Sequence, residues 1–256
     1  MAKVVGLVGS ASGKIGNVVY AVTNGIQVAR VYQPVVSNPK SSLQRFQRAK
    51  GNLVGQISKI TPFQILVGLG ANKRERRSRF LRLCLQKATA GYAAGSVTEI
   101  NAKLEKEDFV FSEGAIVPTA DGTALTTAAQ YCDFVLTRRN GVSDDDFNAS
   151  GFLVVITILS ASGLIEEVLY RFVSSSDFTG NTYSGEIVHT NEGAYTAALY
   201  VATFKTTDGS SLRARANELF GDGADFAASM VYNPAALPVV WSKSKYYRES
   251  AYNPNA

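Results

Sequence analysis

The hydrophobic pattern of the chain changes near Lys103, and this change limits the fold more than any other feature. Before it, apolar residues recur every three or four positions over residues 43–87, which is the spacing of amphipathic helices. After it, apolar residues form short runs separated by turn-forming pairs such as Asn140-Gly141, a pattern typical of β-strands. The sequence therefore predicts an α+β protein, with an N-terminal β-hairpin and two or three helices followed by an antiparallel β-rich region.

The hairpin is predicted from Val18 to Tyr32, around Asn24-Gly25. This dipeptide favours the positive φ angles of a type I′ turn, whose twist matches that of paired strands. Val18, Tyr20 and Val22 share one side of the hairpin, and Val19 and Ala21 share the other. Because both sides carry apolar residues, we expect the hairpin to be covered on both faces.

Two basic helices are expected next. Asn38-Pro39 has the composition of a helix start, because Asn accepts from free N–H groups and Pro loses nothing at the first position. One apolar stripe follows, formed by Leu43, Phe46, Leu53, Ile57 and Ile60. Pro62 is expected to end or kink this helix. After a short apolar piece, a second helix is predicted from about Lys73 to Ala94.

Seven short β-like runs follow Lys103, and their number and spacing favour an antiparallel sandwich resembling an immunoglobulin-like domain. The runs are Phe109–Phe111, Ala115–Val117, Tyr131–Thr137, Phe152–Leu159, Glu167–Phe172, Tyr183–His189 and Tyr195–Phe204. The Cys, Trp, Cys order of true immunoglobulin domains is absent, because Trp241 follows both cysteines. The predicted domains are 1–105, 106–232 and an extended C-terminal arm, 233–256, whose assembly contacts are Tyr246, Tyr247 and Tyr252.

Charge divides the chain at the same place. Residues 1–103 hold sixteen Lys or Arg and only two acids, Glu75 and Glu99, whereas the remaining 153 residues hold ten basic and nineteen acidic side chains. The modest net charge of +5 conceals this asymmetry. It indicates either a polyanionic partner or assembly of complementary surfaces.

Several small and polar residues hold fixed spacing in the basic half: Gly13-Lys14-Ile15-Gly16-Asn17-Val18-Val19, Asn24-Gly25, Arg30, Asn38-Pro39, Gln44, Gln47 and Arg48, with Phe109–Gly114 later. In these positions the chain resembles an uncharacterised family, a domain of unknown function found in gut bacterial genomes and their phages or mobile elements. The resemblance is strongest over about residues 10–115. It implies an N-terminal hairpin with helices, a β-rich C-terminal part and, through gene setting alone, a virion component.

No motif in the sequence meets the requirements of a nucleotide-binding or catalytic site. Gly9 and Gly13-Lys14 imitate a phosphate-binding loop, but one residue is missing, Ile15 replaces the Ser or Thr that holds magnesium, and a strand follows instead of a helix. The single histidine, His189, is expected to be a half-buried or exposed strand residue rather than a catalytic base.

The remaining candidates for a site are acids and thiols. Asp144-Asp145-Asp146 is expected to be a solvated turn, because it lacks the Gly and the terminal Glu of a calcium loop. Cys84 and Cys132 are expected to be buried small apolar residues. The sequence therefore predicts no catalytic residue, metal site, cofactor or small-molecule substrate, and we expect a protein that is not an enzyme.

The strongest functional signal is a basic ridge on the two predicted helices, formed by Arg45, Arg48, Lys50, Lys73, Arg74, Arg76, Arg77, Arg79 and Arg82. Such a ridge fits phosphate contacts without base readout. The alternatives are contact with the acidic half of a neighbouring subunit and a plain solvated surface.

These observations favour a non-enzymatic, self-assembling structural protein, in particular a phage capsid or other virion protein whose basic side faces nucleic acid. The alternative is a cellular, sequence-independent nucleic-acid-binding module with an immunoglobulin-like domain. The longest apolar stretch, Phe152–Leu159, is too short for a membrane span, and the N-terminal residues lack the apolar run of a signal peptide. We therefore expect synthesis in the cytoplasm and no membrane partner.

Overall fold

The computed structural model describes residues 2–3, 13–23, 26–32, 41–92, 100–160, 164–223, 225, 227–228, 237 and 239–255. The chain forms two compact units, Met1–Ser41 and Ser42–Ala256. The division therefore falls directly before the first helix, whereas the sequence suggested a change near residue 105. The reason is that the helices share a hydrophobic core with the β-rich region.

The N-terminal unit contains a four-stranded antiparallel sheet with strand order β1-β4-β3-β2. Its strands are β1 (Ala2–Lys3), β2 (Gly13–Ile15), β3 (Val18–Thr23) and β4 (Ile26–Val31). The predicted hairpin is confirmed, because Thr23 pairs with Ile26 across β3 and β4, although its turn at Asn24-Gly25 lies outside the described residues. Gly16, in the turn between β2 and β3, has a φ of 59°, a conformation that favours glycine.

The expected cover of this sheet is not observed. None of the described side chains of Met1–Ser41 is buried. Ile15 and Val31 are 60% and 75% exposed. The N-terminal sheet thus forms without a core of its own among the residues that the structure describes.

The second unit begins with α1 (Ser42–Ile60), a 3₁₀ helix (Phe63–Leu69) and α2 (Lys73–Lys87). The start predicted at Asn38-Pro39 lies outside the described residues. Leu43, which was expected on the apolar stripe, is 67% exposed, and the buried residues of α1 are Val54, Ile57 and Ser58.

The second helix is shorter than predicted. Its N-cap is Asn72, whose side chain accepts a hydrogen bond from the backbone N–H of Glu75. It ends at Lys87 instead of continuing to Ala94, because β5 (Thr89–Tyr92) pairs with β6 (Ile100–Lys103). That pairing provides backbone hydrogen bonds to a segment whose Gly and Tyr are weaker helix formers.

The rest of the chain forms two antiparallel sheets with short helices between strands. The strands are β7 (Ala120–Thr127), β8 (Tyr131–Arg138), β9 (Ser150–Ser160), β10 (Ile165–Ser174), β11 (Thr182–Val188), β12 (Tyr195–Thr206), β13 (Val239–Trp241) and β14 (Lys245–Tyr252). The helices are α3 (Asp144–Asn148), α4 (Leu212–Phe220) and 3₁₀ helices at Lys106–Asp108 and Ser175–Asp177.

The larger sheet has the order β10-β9-β12, and β12 then pairs with β13 and β14 in succession along its other edge. The smaller sheet has the order β11-β8-β7. Five of the seven predicted strands correspond to β8–β12, but Phe109–Phe111 is a buried non-strand segment and Ala115 makes only an isolated bridge to Ser242.

The larger sheet is covered on both faces. Alternate residues of β9, such as Leu153 and Val155, join a core cluster with α1, α2 and the 3₁₀ helix between them. Their neighbours Val154 and Ile156 join a second cluster with β8 and β11. Double coverage explains why β9 is apolar at every position from Phe152 to Leu159 except Thr157. The α+β class is confirmed, and the immunoglobulin-like sandwich stays a prediction.

The predicted C-terminal arm is instead part of the larger sheet, from Val239 onward. β14 pairs with β12 between Tyr252 and Lys245, and its tyrosines pack on the same unit. Tyr246 lies 5.7 Å from Tyr200 and Tyr252 lies 5.5 Å from Tyr195, both between ring centroids. The Tyr247 hydroxyl donates to Asp121 at 2.9 Å. The prediction of an extended arm is therefore wrong for these residues, because they form a strand of their own sheet. Assembly contacts through Tyr246, Tyr247 and Tyr252 stay a prediction.

Candidate nucleic-acid interface

The outer side of α1 carries three cations. Val54 and Ile57 bury one side of the helix, and a helical turn of 3.6 residues places Arg45, Arg48 and Lys59 on the other. All three are exposed, and among the described residues none has an ion pair or hydrogen-bond partner. No acidic residue occurs in α1. Lys59 was not among the predicted ridge residues, although its spacing of fourteen residues from Arg45 places it on this side of a helix.

The outer side of α2 carries two more cations, Arg74 and Arg82. Phe80 and Cys84 are buried on the inner side, so the eight-residue spacing of the arginines places them about 12 Å apart along the outer side. Both are exposed and lack ion-pair partners within the described part of the chain. Glu75 is the one acid of this helix.

Arg76 and Arg77, which were predicted to belong to the ridge, face inward. Arg76 is 3% exposed, and it donates from Nε to the Gly70 carbonyl at 2.8 Å and from Nη2 to the Ala71 carbonyl at 3.2 Å. Burial lowers the pKa of Arg76 from its usual value, partly offset by Glu75, but a guanidinium stays charged at neutral pH.

Arg77 connects the two helices. Its Nη2 donates to the carbonyls of Ser58 at 2.9 Å and Thr61 at 3.4 Å, at the C-terminal end of α1. These carbonyls lack partners within the helix, and a cation there also complements the helix dipole. Arg76 and Arg77 therefore hold the helix layer together and are not available to a ligand.

The other three predicted cations are engaged at the surface. Arg79 Nε lies 2.7 Å from Glu113 Oε2, and Lys50 donates to the Leu85 carbonyl at 3.2 Å. Lys73 Nζ lies 4.9 Å from the ring centroid of Phe63. Exposed contacts of this kind contribute about 1 kcal/mol or less, so they hold these three side chains only weakly.

The two helices run antiparallel. The C-terminal end of α2 meets the middle of α1 at Lys50 and Leu85, and the N-terminal end of α2 meets the end of α1 at Arg77 and Ser58. Both bury their inner sides in one cluster. The structure therefore brings together a helix-layer patch, defined as Arg45, Arg48, Lys59, Arg74 and Arg82.

The helix-layer patch has the dimensions of a phosphate-binding surface. Arg45 and Lys59 are about 21 Å apart along α1, and packed helices lie about 8–10 Å apart. Duplex DNA carries one phosphate charge per about 1.7 Å, so about 12 phosphates span that length. Five cations can thus meet separate phosphates.

The candidates for chemistry have structural roles. His189 is 3% exposed and follows β11, so the expectation of a half-buried or exposed strand residue was wrong. Its Nε2 lies 2.8 Å from the Tyr195 hydroxyl, which donates to the Ala128 carbonyl at 2.6 Å. Burial lowers the pKa of His189 and raises that of the neighbouring Cys132 thiol to about 11. Both shifts follow from burial, the first cause in each.

Cys84 and Cys132 are buried and free, as predicted. Asp144, Asp145 and Asp146 form the first turn of α3, whose N-cap is Ser143, and not a simple turn. Across the described residues no group of three or more His, Cys, Asp or Glu side chains could hold a metal. In the same residues, no helix is long and apolar enough to cross a membrane.

Comparison with known proteins adds no identity. No protein-family model matches the chain, and no curated protein is similar to it in sequence. The resemblance to the uncharacterised family found in gut bacterial genomes and their phages or mobile elements therefore stays a prediction.

Proposed function

We propose that this chain is a non-enzymatic structural protein that self-associates and binds nucleic acid through its helix-layer patch, without sequence readout. The observation that carries the proposal is the set of five exposed cations that have no partner among the described residues. Unpaired surface cations on one side of a fold release counterions from a phosphate backbone, which drives sequence-independent binding.

The more specific form of the proposal is a phage capsid or other virion protein. The charge asymmetry supports it, because a shell protein presents one basic side to packaged nucleic acid and uses its remaining surface for contacts between copies. The immunoglobulin-like sandwich belongs to this proposal as well, supported by the two antiparallel sheets that share a core cluster.

A second candidate is contact between the helix-layer patch and the acidic side of a neighbouring copy. Glu186 and Asp133 lie directly opposite each other on β11 and β8, and both are exposed. Like charges in this position destabilise a sheet, and a neighbouring cation relieves the repulsion. This carboxylate pair lies on the smaller sheet, so it offers a complementary surface for head-to-tail assembly.

The two candidates are separated by one set of variants. In the patch variant, Arg45, Arg48, Arg74 and Arg82 are replaced by Gln. In the control variant, four exposed cations outside α1 and α2 are replaced by Gln: Arg171, Arg213, Lys243 and Arg248. We expect the patch variant to bind a mixed-sequence duplex DNA at least roughly tenfold more weakly than the control variant does.

Light scattering of the same proteins, with and without DNA, measures assembly. If the patch binds nucleic acid, the patch variant still self-associates in the absence of DNA. If the patch binds a neighbouring copy, the patch variant loses self-association and the variant Asp133→Asn, Glu186→Gln loses it too. Wild-type protein that remains monomeric with and without DNA, and equal DNA affinity of the patch and control variants, would overturn the proposed function.

A further inference from the structure

A cavity of about 300 Å³ lies between α1, the end of β9 and the start of β10. Ile57 and Ile60 line it from α1, and Leu159 and Ile165 line it from the two strands. Phe109, in the segment before β7, completes the wall. The cavity therefore lies within the second unit and is lined by described residues.

The cavity reaches from the surface into the hydrophobic core. Ile57, Phe109 and Leu159 are only 4% or 5% exposed and belong to the cluster between the helices and the larger sheet. Leu164, which is 56% exposed, lies at the mouth. Protein interiors are close-packed and hold few voids larger than a water molecule. Small-molecule sites begin at about 300 Å³, so this volume is that of a binding space and exceeds a packing gap.

Two polar side chains line the cavity, Gln56 on α1 and Glu166 on β10, and both are exposed. The Asn191 side-chain amide donates to Glu166 Oε2 at 2.5 Å and holds this carboxylate in place. A carboxylate has about four acceptor sites, so this bond leaves room for a ligand. None of the described residues that line the cavity is a lysine, arginine or histidine. The cavity thus combines an apolar interior with a negatively charged mouth.

We propose that this cavity binds a small apolar cation, which is an aromatic or hydrocarbon group of about ten carbons that carries one ammonium. The apolar group fills the inner part of the cavity, and the ammonium stays at the mouth and donates to the Glu166 carboxylate. Size sets the class of the apolar group. A cavity of about 150 Å³ lined by Leu, Ile and Phe binds benzene, so one of about twice that volume holds two fused rings.

Charge sets the class of the polar group. A carboxylate or phosphate on the same ligand would meet the Glu166 carboxylate, and no lining cation among the described residues offsets the repulsion. The inference does not rest on the proposed function, because none of the five residues of the helix-layer patch lines the cavity. Ligand binding and nucleic-acid binding can therefore fail independently.

Three probes that differ in their polar group test the charge preference: 1-naphthylmethylammonium, 1-naphthylmethanol and 1-naphthoate. We expect calorimetric titration of the full chain at low salt to give the ammonium a dissociation constant below about 1 mM, which is reasonable for about twelve heavy atoms. The naphthoate should bind at least about fivefold more weakly, because the charge contact is attractive for one probe and repulsive for the other. Equal affinity for these two probes, or no binding of the ammonium at about 1 mM, would overturn the proposal.

The variant Glu166→Gln removes the charge and keeps an acceptor for Asn191. We expect its affinities for the ammonium and the naphthoate to agree within about twofold. The control Asp145→Asn removes an equal charge from α3, whose Phe147 packs in the cluster on the other face of the larger sheet. It should keep the wild-type preference. A preference for the ammonium that persists in Glu166→Gln contradicts the role of this carboxylate.

A filled cavity shows where the probe binds. Leu53 lines the cavity from α1, so Leu53→Trp reduces its volume, and we expect the ammonium to bind at least about tenfold more weakly. The control Leu85→Trp is on α2, where Leu85 is 37% exposed and does not line the cavity, and it should keep the wild-type affinity. Urea unfolding shows whether each variant is folded. Unchanged affinity in folded Leu53→Trp would place the probe elsewhere and overturn the proposal, and if that variant does not fold, the exposed substitution Glu166→Gln decides.

Discussion

The N-terminal sheet and the larger sheet of the second unit are both antiparallel and both rich in valine and isoleucine, but they differ in what covers them. β9 and β12 are buried almost throughout, with helices on one face and the smaller sheet on the other. The described side chains of β2, β3 and β4 are half-buried or exposed. Strand formation therefore follows from residue type, whereas stability follows from burial.

The same contrast divides the cations. Arg76 and Arg77 contribute to the folded core of the second unit through backbone carbonyls. Arg74 and Arg82, on neighbouring turns of the same helix, have no ion-pair or hydrogen-bond partner in the described residues. A cation's role in this protein is thus decided by the side of the helix on which it lies, and stability and binding can be changed separately.

The largest expected effect is at the centre of the second unit. Phe80 is fully buried and lies 6.0 Å from Phe111 between ring centroids, joining α2 to the core. We expect Phe80→Ala to lower the free energy of unfolding by about 3–5 kcal/mol, through lost burial and the cavity left behind. Urea unfolding measures it. A loss below about 1 kcal/mol would mean that the helices do not share the core of the sheet.

Arg76→Met should be the next largest change. It leaves the Gly70 and Ala71 carbonyls without their charged donor, so we expect a loss of about 2–3 kcal/mol in unfolding free energy. Arg74→Met is the matched control, and its cost should stay within about 0.5 kcal/mol. The division of the cations is contradicted if the two variants lose equal stability.

Two valines give the most direct comparison of the sheets. Val155 is 1% exposed in β9 and Val31 is 75% exposed in β4. We expect Val155→Ala to cost about 2 kcal/mol of unfolding free energy and Val31→Ala less than about 0.5 kcal/mol, measured on dilute protein by urea unfolding. Equal costs would show that the N-terminal sheet has a core under these conditions.

His189 gives a smaller effect that depends on pH. Because burial lowers its pKa, the unfolded chain binds more protons than the folded one below about pH 6.5. The stability that neutral His189 contributes is complete above that pH and is lost as the pH falls through the lowered pKa. The slope reaches up to about 1.4 kcal/mol per pH unit.

The variant His189→Gln keeps a donor for the Tyr195 hydroxyl and does not titrate. Carboxylates also make the folded protein less stable in acid. The pKa of Asp121, for example, is lowered by Arg139 and Tyr247 against the opposing effect of burial. The difference between wild type and variant isolates the histidine. Unfolding curves of equal pH dependence in the two proteins would contradict the prediction.

The sequence predicts the parts of this fold that depend on local patterns. Asn24-Gly25 located the hairpin, and the apolar run from Phe152 to Leu159 located β9. It missed β7 (ADGTALTT) and β14 (KYYRESAY), because neither has a strong apolar alternation. β7 is stabilised by pairing with the next strand, β8, and β14 by pairing with the distant β12. The tyrosines of β14 therefore suggested an arm.

The candidate site was predicted only in part, because the roles of its cations depend on contacts with distant segments. Charge clustering identified both helices, but it could not separate Arg76 and Arg77 from Arg74, since their roles depend on where the 3₁₀ helix and the end of α1 lie. The position of Lys14 on the same side of the N-terminal sheet as Arg30 required the register of β2, which the sequence did not predict.

The salt dependence of DNA binding tests the central claim most directly. We expect the slope of log K against log salt concentration for the patch variant, Arg45, Arg48, Arg74 and Arg82→Gln, to be shallower than that of wild type by about 3 to 4, at about 0.9 per lost phosphate contact. The control variant, which loses equal charge elsewhere, should keep the wild-type slope within about 1. A patch variant with the wild-type slope would contradict phosphate binding by the helix layer.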